Sequence, residues 1–263
     1  MHLTRFRVNT ARSGARRLLS SPQVLHAVVM SSFPTVLPTG TPPADGPRVL
    51  WRLDHTARAE VMLYIVSPDR PDLTHLVEQA GWPAAAAADP DQPGWESRPY
   101  GPLLDRLTTS QQWAFRLTAN PVHHARRKDD EPTKRTAHLT PTHQMGWLLK
   151  RQEACGFRIL EKADTARLLP SGTTYTHQPH HGDRYQLTVH DKRTLAFDKH
   201  RTTTPRAARR APVSMVTVTF DGRLEVTDPD LLRRALTHGI GKAKAYGCGL
   251  LTLAPLAAAK TTR

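Results

Sequence analysis

The sequence predicts an α+β fold of two tandem ferredoxin-like domains, each with the βαββαβ order shared by RNA-recognition folds. Three observations predict it. Two-residue alternation and helical spacing of apolar residues take turns along the chain. They do so in the same order twice, over residues 1–110 and again over 111–263. The 263 residues suit one large domain or two small ones, and the repeated pattern selects two. The halves share this pattern but no evident sequence.

In the first half, Phe6 and Val8 alternate with Arg5 and Arg7, which predicts a strand over 2–9. Ser21 and Pro22 are helix-start residues. Val24, Leu25, Val28 and Val29 then share one helical face, so 22–33 reads as a helix. Five prolines make 34–47 a loop. Strands follow at 48–55 and 60–66, then a helix from Leu73 to Ala80 that Gly81 ends. The proline-rich stretch 81–102 reads as a loop, and a strand or hairpin at 100–108 closes the unit.

In the second half, Trp113, Phe115 and Leu117 alternate with Ala114, Arg116 and Thr118, a strand. His143 to Ala154 reads as a helix. Strands are expected at 157–168, 184–190 and 194–198, the last two as a hairpin. Residues 213–227 alternate cleanly, with Asp221-Gly222 as the expected hairpin turn. Asp228-Pro229 caps a helix through His238, and 250–254 is the last strand.

Charge narrows the function. Residues 1–110 carry 11 Lys/Arg against 10 Asp/Glu, whereas 111–263 carry 26 against 13. That asymmetry points to a polyanionic partner, nucleic acid before membrane. No apolar run approaches the roughly 18 residues of a membrane helix. The arginine-rich start suits a transit peptide superficially, but its strand alternation argues against one. Cys155 and Cys248 make no disulfide scaffold, which suits the cytoplasm. No aromatic motif for base stacking is evident on a sheet face, so recognition by shape and charge is expected.

The most specific segment is HGIGKAKAYGCG, residues 238–249. Gly239, Gly241, Gly247 and Gly249 lie between an amphipathic helix and an apolar strand. Glycines permit positive φ and close approach of backbone N–H groups to phosphate, and Lys242 and Lys244 add cations. The plainer reading is a turn that feeds the last strand into its sheet. The order helix, glycines, strand is not that of a dinucleotide-binding loop. Residues 199–210 offer Lys199, Arg201, Arg206, Arg209 and Arg210 with no acid among them. They can line a phosphate-bearing groove or form a solvated loop. Arg126, Arg127 and Lys128 are followed by three acids that neutralise them, and Lys134 and Arg135 are further candidates. His177, His180 and His181, with His123, His124 and His138, resemble a partial metal site. They lack the spacing of a zinc motif.

Three segments resemble one known family. GIGKAKAYGCGLLTLAPL at the C-terminus is similar to the glycine-rich loop and final strand of CasE, the CRISPR repeat-RNA endoribonucleases of subtype I-E. QVLHAVVMSSFP resembles their helix with the active-site histidine, and FRLTANPV the strand that opens their second domain. The resemblance implies cleavage of CRISPR precursor RNA at the 3′ base of each repeat stem-loop. It implies no metal and no small-molecule cofactor. The expected partners are the repeat stem-loop RNA and the other subunits of the Cascade complex, with no membrane. The glycine-loop and basic residues above are then RNA-binding candidates, and His26 the catalytic one. Counted at about 100° per residue from Val24, His26 falls near 200°, outside the apolar arc. Members often carry Tyr three residues before the histidine, and here that residue is Gln23. The second catalytic group stays open among Ser20, Ser21 and the loop lysines. Two rival readings remain: a repeat-RNA binding subunit that does not cut, and a metal-dependent nuclease built on the histidine-rich loop.

Overall fold

The structure, a computed structural model, describes residues 1–33, 48–57, 60–82, 94–125, 134–169, 180–197 and 213–256. Over these residues the chain forms two compact units. The first comprises Met1–Arg106 with Leu195–Ser214 and Thr237–Leu250. The second comprises Leu107–Thr194, Met215–Leu236 and the segment from Leu251 onward. The glycine-rich loop, expected in the second domain, therefore packs with the first.

The first unit runs β1 (His2–Asn9), α1 (Ser13–Leu19), α2 (Pro22–Met30), β2 (Leu50–Ala57), β3 (Glu60–Ser67), α3 (Thr74–Ala80), β4 (Trp95–Pro99) and α4 (Gly101–Asp105). Its antiparallel sheet has the order β2-β3-β1-β4, the ferredoxin-like arrangement. Phe6, Val8, Val61, Leu63 and Ile65 point from the sheet to Leu25, Val29, Leu76 and Val77 of the helices. At about 25 cal/mol per Å² of apolar surface, this burial is the main term that holds the layers together.

Two expectations for this unit need correction. The closing strand is Trp95–Pro99, not 100–108, which is instead the short helix α4. A strand ending in Pro99 is tolerated because β4 is a sheet edge, where no ladder donor is missed. Helix α1 was not foreseen. Only Ala15 and Leu18 are buried in it, so its seven residues carry little periodic signal. It is tied to α3 by Arg12, whose guanidinium donates to the Val77 and Gly81 carbonyls.

The second unit contains β5 (Gln112–Ala119), a hairpin of β6 (Val122–Ala125) and β7 (Lys134–Ala137), α5 (Pro141–Leu149), β8 (Phe157–Ile159), α6 (His181–Arg184), β11 (Leu251–Ala254) and the greater part of β9 (Leu187–Phe197), β10 (Val213–Val226) and α7 (Pro229–His238), whose residues 195–197, 213–214 and 237–238 fall in the first unit. Its main sheet has the order β11-β5-β10-β8, again ferredoxin-like, with β9 added on β10. Asp228 caps α7 by accepting from the N–H groups of Asp230 and Leu231, as the sequence suggested. The β6–β7 hairpin was not expected. Helix α5 stops at Leu149, and a separate 3-10 turn covers Glu153–Cys155. Strand β8 ends at Ile159, and Glu161 beyond it pairs with Arg167 and Arg184. Residues 187–197 are one strand rather than a hairpin, bent at Asp191, whose φ is 55°.

The Asp221-Gly222 turn is also corrected. Both residues lie inside the 14-residue β10, with Asp221 opposite Arg116 and Gly222 opposite Phe115. Gly222 does not take a positive φ. Its missing side chain serves packing: a Cβ there would lie 2.4 Å from the Gln186 carbonyl oxygen and 2.9 Å from the Phe115 ring. A glycine inside a strand often marks such an approach.

Candidate active site

His26 sits on the second turn of α2. Ser21 enters the helix in extended conformation and Pro22 occupies the first turn, so the start is set by backbone geometry without a side-chain cap. Leu25 and Val29 bury one face, which leaves His26 half-buried at its border. Its Nδ1 accepts from the indole N–H of Trp51 at 3.4 Å. Burial pushes the His26 imidazole below its ordinary value, because a charged ring loses hydration there. Burial therefore favours the uncharged ring.

Trp51 belongs to β2, and this strand seats the glycine-rich loop. Successive β2 side chains point to opposite sheet faces. Trp51 faces the helices and is 2% exposed. Arg52 faces the other way and is equally buried. It forms a double hydrogen bond with Asp54, at 2.6 and 2.9 Å, and donates to the Leu250 carbonyl at 2.9 Å. The loop base closes by a bond from the Ile240 N–H to the Gly249 carbonyl. Because β2 is an edge strand, the segment 237–250 also covers an edge that would otherwise be open.

Within the loop the backbone takes positive φ at Gly239, Gly241, Ala243, Gly247 and Gly249. Gly247 is where glycine is needed most. Its φ is 79°, and a Cβ there would lie 2.6 Å from the Trp51 ring. The 3-10 turn Lys244–Tyr246 packs on both α2 and β2. Tyr246 is braced by an edge-on contact with Phe197, centroids 4.7 Å apart. Lys242 is exposed and Lys244 half-buried on the same turn region. The structure thus brings together His26, Gly239, Gly241, Lys242, Lys244, Gly247 and Gly249 in one unit.

Other expected residues stand apart. Lys199, Arg201, Arg206, Arg209 and Arg210 lie outside the described residues, as do Arg126, Arg127, Lys128 and His177. His180 and His181 open the short helix α6. The His123 and His138 ring centroids lie 4.4 Å apart with the planes tilted by 31°, and His143 lies 5.9 Å from His138. Cys248 is fully buried, which pushes its thiol up to about 12, so it packs rather than reacts. The Ser20 hydroxyl donates to the Arg17 carbonyl. Sequence reasoning missed Trp51 and the Arg52–Asp54 pair. The available signal was Arg-x-Asp inside an apolar strand, which puts two opposite charges on one sheet face.

A model of the family described as CRISPR associated protein matches residues 1–255. CRISPR-associated endoribonuclease Cse3 of Thermus thermophilus is 29% identical over 256 residues, covering 97% of this chain and 100% of that protein. The Escherichia coli CRISPR system Cascade subunit CasE is 52% identical over 40 residues, 15% of this chain and 20% of that one. A structure of CRISPR endoribonuclease Cse3 bound to 19 nt RNA matches with a TM-score of 0.68 and 28% identity, covering 97% of this chain and all of that one. The chain belongs to the CRISPR associated protein family, and within it to the CasE type.

Proposed function

We propose that this protein is a metal-independent endoribonuclease that cuts CRISPR precursor RNA at the 3′ base of the repeat stem-loop. The observation that carries this reading is the half-buried His26 beside the glycine-rich turn, on the helix that resembles the catalytic helix of CasE. The RNA supplies its own nucleophile, so the chemistry needs no metal-bound water. The 2′-oxygen attacks the adjacent phosphorus, and the products are a 2′,3′-cyclic phosphate and a 5′-hydroxyl. His26 serves the proton traffic, at the 2′-hydroxyl or at the departing 5′-oxygen. Such a group contributes roughly 10²–10⁴-fold.

The glycine loop, with Lys242 and Lys244, and the basic segment Lys199 to Arg210 hold the backbone phosphates. The charge excess of the second half supports this, since affinity for RNA rests largely on phosphate neutralisation. The mature guide RNA stays bound, and the protein works with other Cascade subunits in the cytoplasm. Similarity to the E. coli Cascade subunit supports that partnership. Among the described residues no helix is long and apolar enough to cross a membrane.

The test is cleavage of a cognate repeat stem-loop in excess EDTA by wild type and His26→Ala, with binding measured alongside. Cutting by wild type alone, with both proteins bound, is expected. If neither cuts and both bind, the protein is a repeat-RNA binding subunit. Gln23, standing where the family often has Tyr, favours that second reading. Loss of wild-type cutting in EDTA, restored by added metal, would establish the metal-dependent alternative.

A further inference from the structure

An indole N–H can donate a hydrogen bond but has no lone pair to accept one. The contact between Trp51 Nε1 and His26 Nδ1 therefore has one possible sense: Nδ1 offers its lone pair. In the neutral ring the single proton then lies on Nε2. The two nitrogens flank one carbon and their outward directions diverge widely, so Nε2 points away from Trp51.

The indole is well placed to impose this. Trp51 is buried in the first unit's core, out of reach of competing water. Its strand is in register with β3, Trp51 lying opposite Ile65. Gly247 presses against the ring from the loop, at a position where no side chain fits. Among the described residues the buried indole nitrogens of Trp95, Trp113 and Trp147 have no hydrogen-bond partner, whereas that of Trp51 has His26.

We infer that Trp51 is a positioning residue for the cleavage reaction, holding His26 by Nδ1 so that Nε2 meets the RNA bearing the ring's proton. The inference rests on the reading of His26 as the catalytic group and changes its part from moving a proton to stabilising the charge on the leaving oxygen. With its proton on Nε2, the ring donates there and cannot accept. Taking the 2′-hydroxyl proton at Nε2 would require the proton on Nδ1, where it would face the indole N–H donor to donor. His26 therefore serves the leaving side. The 2′-oxygen bonds to phosphorus and gives its proton to water. The bond from phosphorus to the 5′-oxygen breaks, its electron pair goes to that oxygen, and Nε2–H hydrogen-bonds the charge that collects there. Water then supplies the proton of the 5′-hydroxyl product. This matches the pattern in which a histidine kept neutral acts as an electrophile.

The glycine loop gains a second purpose. Gly247 is required for the seat of Trp51, whatever the other loop residues do for phosphate.

The test uses Trp51→Phe, which keeps an aromatic ring in the core and removes the N–H together with part of the indole's volume; the tautomer readout separates the two effects. Nitrogen-15 NMR of the imidazole reads the His26 tautomer directly in the full-length protein. Single-turnover cleavage and RNA binding are measured on wild type, Trp51→Phe and His26→Ala. Wild type is expected to show the Nε2–H form, and Trp51→Phe a mixture of both. Its cleavage should fall by roughly 10–100-fold, as when a metal-bound histidine loses the partner that orients it, with binding unchanged. A His26→Ala protein that cuts at the wild-type rate overturns the reading of His26 itself. An inactive His26→Ala beside a fully active Trp51→Phe overturns only the role of Trp51. Should Trp51→Phe not fold, the wild-type spectrum decides: a proton on Nδ1 overturns the inference.

Discussion

Each unit brings a histidine and an Arg–Asp pair close in sequence or space, and the two units arrange them in opposite ways. In the first, Arg52 and Asp54 close on each other on one face of β2, while Trp51 on the other face reaches His26. The histidine meets a neutral donor and must accept at Nδ1. In the second, Arg116 and His190 both converge on the Asp221 carboxylate, at 2.6 and 3.0 Å. That histidine meets an acceptor and donates from Nε2. One sheet thus uses its own thickness to keep the Arg–Asp charges away from the His26 ring. The other gathers charge and ring into one cluster that stabilises the sheet. On the proposed role of His26, the same βαββαβ scaffold supports chemistry in one copy and cross-strand adhesion in the other.

The strongest way to break this comparison is to remove each histidine in turn. His26→Ala is expected to lower single-turnover cleavage by about 10²–10⁴-fold and leave binding intact. His190→Ala should leave the cleavage rate unchanged. Equal losses from both would mean that the two rings are not divided between chemistry and structure.

The Arg–Asp pairs come next. Arg52 is 2% and Asp54 7% exposed, so Asp54→Asn leaves a buried guanidinium without its counter-charge. Breaking such a buried pair costs about 3–5 kcal/mol, read from urea denaturation. Because Arg52 also holds the Leu250 carbonyl, cleavage should weaken with stability. A change under about 1 kcal/mol, the range of exposed pairs, would show that the pair is not sealed from water.

Two glycines sharpen the contrast further. Gly247→Ala puts a side chain at positive φ and against Trp51, a strain of about 1–3 kcal/mol. It should reduce both the melting temperature and the cleavage rate. Gly222→Ala meets the Gln186 carbonyl and the Phe115 ring instead. It should lower the melting temperature while the folded fraction cuts normally.

Those glycines also show what the sequence could and could not reveal. The order of strands and helices was legible because apolar periodicity is a local property, as in Phe6 and Val8 or Leu25 and Val29. The helix bearing His26 and the loop with Gly247 were legible as separate segments. Their meeting at Trp51 was not, because 25 residues separate Trp51 from His26 and 196 from Gly247, and no local pattern records such contacts. Asp221-Gly222 misled for the complementary reason. The dipeptide is a turn signal in isolation, but Leu224 and Val226 continue the buried face beyond it. The neighbouring Gln186 backbone, distant in sequence, explains the glycine. Helix α1 escaped notice because its two buried residues are too few to make a period.

The smallest expected effect belongs to Asp221. Burial alone would raise its carboxyl, but hydrogen bonds and charge from Arg116, joined by His190, outweigh this and hold it below the usual carboxylate range. A carboxyl whose folded value is depressed binds fewer protons folded than unfolded. Its contribution is therefore fully present above the unfolded value of about 3.9 and is lost as pH falls through the lower folded value. The side chain is 34% exposed, so solvent screens the pair. Asp221→Asn should cost no more than about 1 kcal/mol at neutral pH. Urea midpoints of wild type and variant should converge as pH drops below about 4. A gap that stays constant with pH would mean that Asp221 acts through shape and neutral hydrogen bonds. The second unit's cluster would then be no more electrostatic than the indole contact at His26, and the contrast between the two units would rest on burial alone.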